Sequence, residues 1–168
     1  VARTVNSFID RYAHNGMCQP TFTSSWDGPK KQGGDDVDNV IADAMVKGVK
    51  GFDPLRAYEL IKYHAFSERS GDYLRLGWQP ETGAIMSCSY EMEYAYNDFC
   101  AAEVAAMVGD AEHAELLRKR SRNWDRIFNP ELESRGFKGF IAPRRENGEW
   151  IDIDPAKHYG SWLEYIYE

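Results

Sequence analysis

Five stretches of this chain carry apolar residues at helical spacing, and the loops between them are of uneven length. Val5, Phe8, Ile9 and Tyr12 predict a helix over residues 2–15, with Gly16 placed to end it. Val37, Val40, Ile41 and Ala44 predict a second over 36–47, capped by Asp35 or Asp36 and stopped by Gly48. Asp53-Pro54 opens a third, with Asp at the cap and Pro at the first helical position, running to about residue 65. A long helix is expected over 88–108, ending before Gly109, and another over 111–127, broken by Asn129-Pro130. Residues 67–86, punctuated by Gly71, Gly77, Pro80 and Gly83, read as irregular.

Residues 137–153 follow a different pattern. Asn147-Gly148 is a type I′ turn signal between Phe140-Ile141 and Trp150-Ile151, so a β-hairpin is expected there. The fold class predicted is mainly α with this one short hairpin. A helical-repeat scaffold needs a fixed period, and none of about 34 or 40 residues is found. Uneven loops on alternate ends suit an α/α toroid, whose helix hairpins form a wall and whose long loops at one end carry the site.

Composition narrows the function. The 168 residues are 43% hydrophobic and 28% charged, as in soluble globular domains. The net charge of −7 argues against nucleic acid as a partner, and Arg118-Lys119-Arg120 with Arg122 reads as a solvated helix face. No run of 18 apolar residues is present, so no membrane span is expected, and no signal-peptide pattern opens the sequence. Cys18, Cys88 and Cys100 have neither metal nor redox spacing and read as small buried residues. His14, His64, His113 and His158 are scattered and are assigned no chemistry, so no metal ligand is predicted within this chain. Aromatic residues make up 14%, which suits stacking on a sugar's C–H face as well as a large helical core.

Three segments resemble glycoside hydrolase family 92, the calcium-dependent exo-α-mannosidases. The first is the glycine-led loop and helix from Gln32 to Gly48, containing Val40-Ile41-Ala42-Asp43-Ala44, followed by Phe52-Asp53 and Ala57-Tyr58. The second runs from Ser87 to Phe99 and contains Glu93-Tyr94-Ala95-Tyr96, preceded by Gly77-Trp78-Gln79-Pro80. The third comprises Arg120–Trp124, Phe128-Asn129-Pro130, Gly139-Phe140 and Asn147-Gly148-Glu149-Trp150. The resemblance covers nearly the whole chain. It implies part of an (α/α)6 toroid over 1–168, an inverting hydrolase of terminal α-linked mannose in glycans, and an extracytoplasmic location. It also implies calcium as cofactor, with ligands mostly outside this chain. Tyr165-Ile166-Tyr167-Glu168 is similar to the family's acid-bearing motif without the Gly and Trp that follow it, so the chain is expected to be cut near that acid.

Inverting glycosidases hold two carboxyl groups about 6.5–9.5 Å apart, one kept protonated. The resemblance makes Glu168 that general acid; on its own it is a terminal carboxylate among aromatic residues. Asp35, Asp36 and Asp38 crowd one helix start, where capping explains one of them; the resemblance turns this loop, with Gly34, Asp36 and above all Asp38, toward the sugar. Glu93 either braces helices in a buried polar network or meets the substrate. Trp78 either anchors its loop or stacks on the sugar. Two competitors stand beside the mannosidase: another α/α-toroid hydrolase of trehalase-like or glucoamylase-like type, and a non-enzymatic helical scaffold.

Overall fold

The computed structural model describes residues 1–18, 35–82 and 87–157. Gly34 with the loop before it, and the aromatic end through Glu168, lie outside them.

Six α-helices and a two-stranded antiparallel sheet make up the described fold. Helix α1 (Ala2–Asn15) buries Val5 and Ile9, and the N–H of left-handed Gly16 donates to the Tyr12 carbonyl at 2.8 Å. Helix α2 (Asp36–Val46) turns Val37, Ile41, Ala44 and Met45 inward. Helix α3 (Pro54–Tyr63) starts as expected, with Asp53 Oδ1 accepting from the Leu55 and Arg56 N–H groups. Helix α5 (Ser87–Met107) is the hub that α2, α3 and α6 (Ala111–Arg120) pack against. Ala101, Ala102, Val104 and Ala105 are fully buried on it, and such small side chains let neighbouring backbones approach closely.

Four expectations need correcting. The third helix does not stay α-helical to residue 65: from His64 to Glu68 the chain widens into a π turn. Residues 67–86 are not wholly irregular, because a short α4 (Gly71–Leu76) buries Tyr73. Its six residues are too few to display a period. The helix expected over 111–127 stops at Arg120, and Asn123–Ile127 is a 3₁₀ turn. The Arg120 carbonyl accepts the Tyr73 hydroxyl at 3.3 Å, a tertiary partner in place of a further helical N–H.

The fourth concerns the hairpin. Strand β1 (Phe128–Ser134) pairs with β2 (Phe137–Ile141), so Phe140 faces Asn129 rather than the segment around Trp150. Asn129-Pro130 therefore lies in a strand, where the ladder slips out of register between Asn129 and Glu133 and accommodates a residue without an N–H. Asn147-Gly148 does turn the chain, but only the bridge between Arg144 and Trp150 flanks it. Gly148 alone is left-handed, at φ 88, which is not a type I′ turn. The Ile151 N–H reaches the Pro143 carbonyl at 3.0 Å, and Pro143 has no N–H to return, so the ladder ends there.

Two apolar clusters result. The larger joins α1, α2, α3, α5 and α6. The smaller gathers Cys88, Ile127, Ala142 and Ile153, with Trp78 and Trp150 against them, and fastens the hairpin region to the start of α5.

Candidate substrate site

Two elements carrying predicted site residues meet on α5, which itself carries Glu93. The first turn of α2 is tied to Asn97: its Oδ1 accepts the Asp35 N–H at 2.9 Å and its Nδ2 donates to Asn39 Oδ1 at 2.9 Å. The Gly77–Pro80 loop is tied to Glu91, whose Oε2 accepts the Gln79 N–H at 2.8 Å. Glu91 and Asn97 are six positions apart on one helix, about 9 Å along its axis. The α2 start and the Trp78 loop are thereby anchored to neighbouring turns of α5.

Asp36 at the start of α2 and Glu93 on α5 are both half-buried. Burial raises the carboxyl of each above its ordinary range, and for Glu93 the charge of Asp36 adds to burial. Two carboxyl groups partly out of water, near enough for the charge of Asp36 to act on Glu93, can offer acceptors to sugar hydroxyls. Asp38 sits two residues on and points the other way, into the protein. Fully buried, it meets His64 with Oδ1 to Nδ1 at 2.7 Å, while His64 Nε2 lies 2.8 Å from the Cys18 carbonyl.

Asp35 occupies the N-cap position of α2, yet its side chain makes no cap hydrogen bond. Its carboxylate pairs with Arg69 instead. Arg69 also donates to Asp98 Oδ1, at 3.1 Å from Nη2, and its guanidinium lies 4.8 Å from the Tyr94 ring centre. Asp98 further accepts from Arg120 and, at 2.8 Å, from the Tyr73 hydroxyl. Two carboxylates and two guanidinium groups balance in charge, which is what makes such a buried cluster tolerable. No sequence spacing announces it: Arg69 and Arg120 come from a turn and a helix end far apart in the chain.

Trp78 is partly buried against the smaller cluster. Arg144 lies between two indoles, its guanidinium carbon 4.7 Å from the Trp78 ring and 4.9 Å from that of Trp150. One face of Trp78 is therefore occupied by protein. Among the described residues, no group of three or more His, Cys, Asp or Glu side chains is placed to hold a metal ion, and the Asp36–Glu93 pair alone is too small a donor set for calcium. No described helix is long and apolar enough to cross a membrane.

The chain is similar to known proteins over nearly its whole length. A family model described as the glycosyl hydrolase family 92 catalytic domain matches residues 1–168. A relative from Arthroderma benhamiae, named an uncharacterized secreted glycosidase, is 33% identical over 172 residues, covering 88% of this chain and 22% of its own length. A Bacteroides thetaiotaomicron family 92 α-mannosidase, solved in complex with mannoimidazole, is 28% identical with a TM-score of 0.79, over 95% of this chain and 21% of that one. A family 92 inverting mannosidase of the same species has 23% identity and a TM-score of 0.79, over 95% and 22% of the two chains, and speaks for the fold alone. The chain thus spans about a fifth of the length of these relatives. Its helices are part of their α/α toroid, and with the match running from its first residue to its last, the chain belongs to glycosyl hydrolase family 92.

Proposed function

We propose that the protein carrying this chain removes terminal α-linked mannose from glycans with inversion, and that residues 1–168 are a single partial domain of its toroid. The observation that carries this reading is the likeness, at 28% identity, to an α-mannosidase solved with mannoimidazole. Asp36 and Glu93 act as acceptors for sugar hydroxyls, and Gly34 lets backbone approach the ring; Asp38, buried against His64, braces the start of α2 from inside rather than meeting the sugar. Trp78 offers the ring surface that Arg144 leaves uncovered. Glu168 protonates the leaving oxygen, while a base contributed by the rest of the protein activates water.

Calcium does not fit the described residues, so its ligands are assigned to the remainder of the protein; when bound it would orient and polarise sugar hydroxyls. The name of the secreted relative supports an extracytoplasmic location. Exposed Met92, Tyr96 and Phe99 line one face of α5 with Trp124 beside them, as expected where further toroid helices pack.

The test is Glu168→Gln in the full-length protein, comparing a mannose disaccharide with a dinitrophenyl α-mannoside. Gln keeps the shape but has no proton to give. The disaccharide, whose leaving alkoxide is a strong base, should lose about 10²–10⁴-fold in kcat/KM and the activated substrate far less. Equal losses on both would remove Glu168 from the acid role. Activity on aryl α-glucosides instead of mannosides would favour the glucoamylase-like alternative.

A further inference from the structure

We propose that Tyr90, which no sequence motif singles out, is a further substrate-binding residue whose hydroxyl donates a hydrogen bond to the mannose that Asp36 and Glu93 hold as acceptors. The proposal rests on the reading that Asp36 and Glu93 meet the sugar. Position is the first argument. Tyr90 and Glu93 are three apart on α5, so they share one face of it and are separated by about 4.5 Å along the axis. Asn97, four positions beyond Glu93, holds the start of α2. Glu91, the neighbour of Tyr90, holds the Gly77–Pro80 loop. Tyr90 therefore stands on the stripe of Glu93 and Asn97, at the end of it where the loop is tied.

Availability is the second. The polar residues of α5 divide into two sets. Glu91, Asn97 and Asp98 are fully buried, and each has hydrogen-bond partners within the fold. Tyr90 and Glu93, with Asp36 of α2, are only half-buried, and among the described residues nothing hydrogen-bonds to any of these three side chains. Part-buried polar groups left without a protein partner at one place are what a binding site presents to a polar ligand.

The third argument is chemical. An ionised carboxylate only accepts, whereas a sugar hydroxyl both donates and accepts. With Asp36 and Glu93 taking hydroxyl protons, the sugar oxygens still need a donor. Burial raises the Tyr90 phenol above its ordinary value of 10.0, so it keeps its proton at neutral pH and can give the hydrogen bond. The ring is also braced. Tyr94 meets it edge-on, with centres 5.7 Å apart and planes at 81°, and Tyr94 is itself held between Tyr73 at 5.2 Å and the Arg69 guanidinium at 4.8 Å. A tyrosine has two side-chain torsions to fix, so a braced one loses little freedom on binding.

The experiment uses the full-length protein and a set of aryl α-mannosides, each lacking one hydroxyl, at C2, C3, C4 or C6. With wild type, at least one deletion should cost about tenfold or more in kcat/KM, and with Tyr90→Phe that same deletion should cost less than about twofold, because its donor is already gone. Deletion costs that are the same in both proteins at every position would show that Tyr90 does not touch the sugar and overturn the proposal. Glu93→Gln on the intact substrate separates the two readings. A loss of about 100-fold there, beside unchanged deletion costs in Tyr90→Phe, removes Tyr90 alone; a loss under about threefold removes this face of α5 from the site and the proposal with it. Phe fills the same space, and the hydroxyl has no protein partner to lose, so Tyr90→Phe should melt no more than about 3 °C below wild type. A larger fall, or a failure to fold, would make the hydroxyl structural and overturn the proposal as well.

Discussion

Arg120 grips Asp98 with a two-pronged fork, Nε on Oδ2 at 2.5 Å and Nη2 on Oδ1 at 2.7 Å, where α6 crosses α5. The same guanidinium donates to the Ala65 carbonyl at 2.8 Å, beside the π turn. One side chain therefore locks the α5–α6 pair to the segment that holds Asp38 and Asp35. The fork also gives a reason for α6 to end where it does, since its last residue is spent on tertiary contacts.

Removing Asp98 should strand Arg120 without an anion and leave Arg69 with Asp35 alone. Asp98→Ala is expected to cost about 3–5 kcal/mol, the range for breaking a buried pair from one side. Arg118→Ala, which removes the exposed partner of Glu103, should leave the denaturation midpoint close to wild type. Urea unfolding of the two variants side by side makes the check; equal midpoints would mean the cluster does not hold the helices together.

Glu91 predicts a pH dependence of stability. It is fully buried, Oε2 accepts one N–H, and Oε1 has no hydrogen-bond partner. Burial is the main cause that pushes its carboxyl from 4.5 up to about 8. A raised acid means the folded state holds the proton more tightly than the unfolded chain. That contribution is whole below about pH 4.5 and is lost as pH rises toward about 8, with a size on the order of a few kcal/mol. Glu91→Gln cannot ionise, so it should overtake wild type in melting temperature between pH 5 and pH 8. A difference between the two proteins that stays constant with pH would contradict this.

The β1–β2 turn offers a stabilising change. Ser134 pairs directly with Phe137, leaving Arg135 at φ 50 and Gly136 at φ 82 as a two-residue type I′ turn. An arginine held left-handed is strained by about 1 kcal/mol, which Asn or Gly largely avoids. Arg135→Asn should therefore raise the thermal midpoint, and Gly136→Val should lower it by more. If both substitutions move the midpoint the same way, the turn assignment is wrong.

Local chemistry was readable along the chain. Asp53-Pro54 opened a helix, Gly16 and Gly109 closed two others, and α5 lay within a residue of its predicted span, because caps and apolar periods act over a few neighbouring residues. The family strings around Val40–Gly48 and Glu93–Tyr96 pointed to the same membership that the whole chain shows. Partnership between distant residues was not readable. Nothing in the order of residues says that Phe140 pairs back to Asn129, that Asp35 leaves its cap for Arg69, or that an unassigned His64 meets Asp38. Those choices are made by competition among partners that only the packed chain brings together. A buried carboxylate takes the strongest donor within reach, and here the donors His64 and Arg69 lie at the start of, and just after, a π turn that no periodicity in the sequence signals.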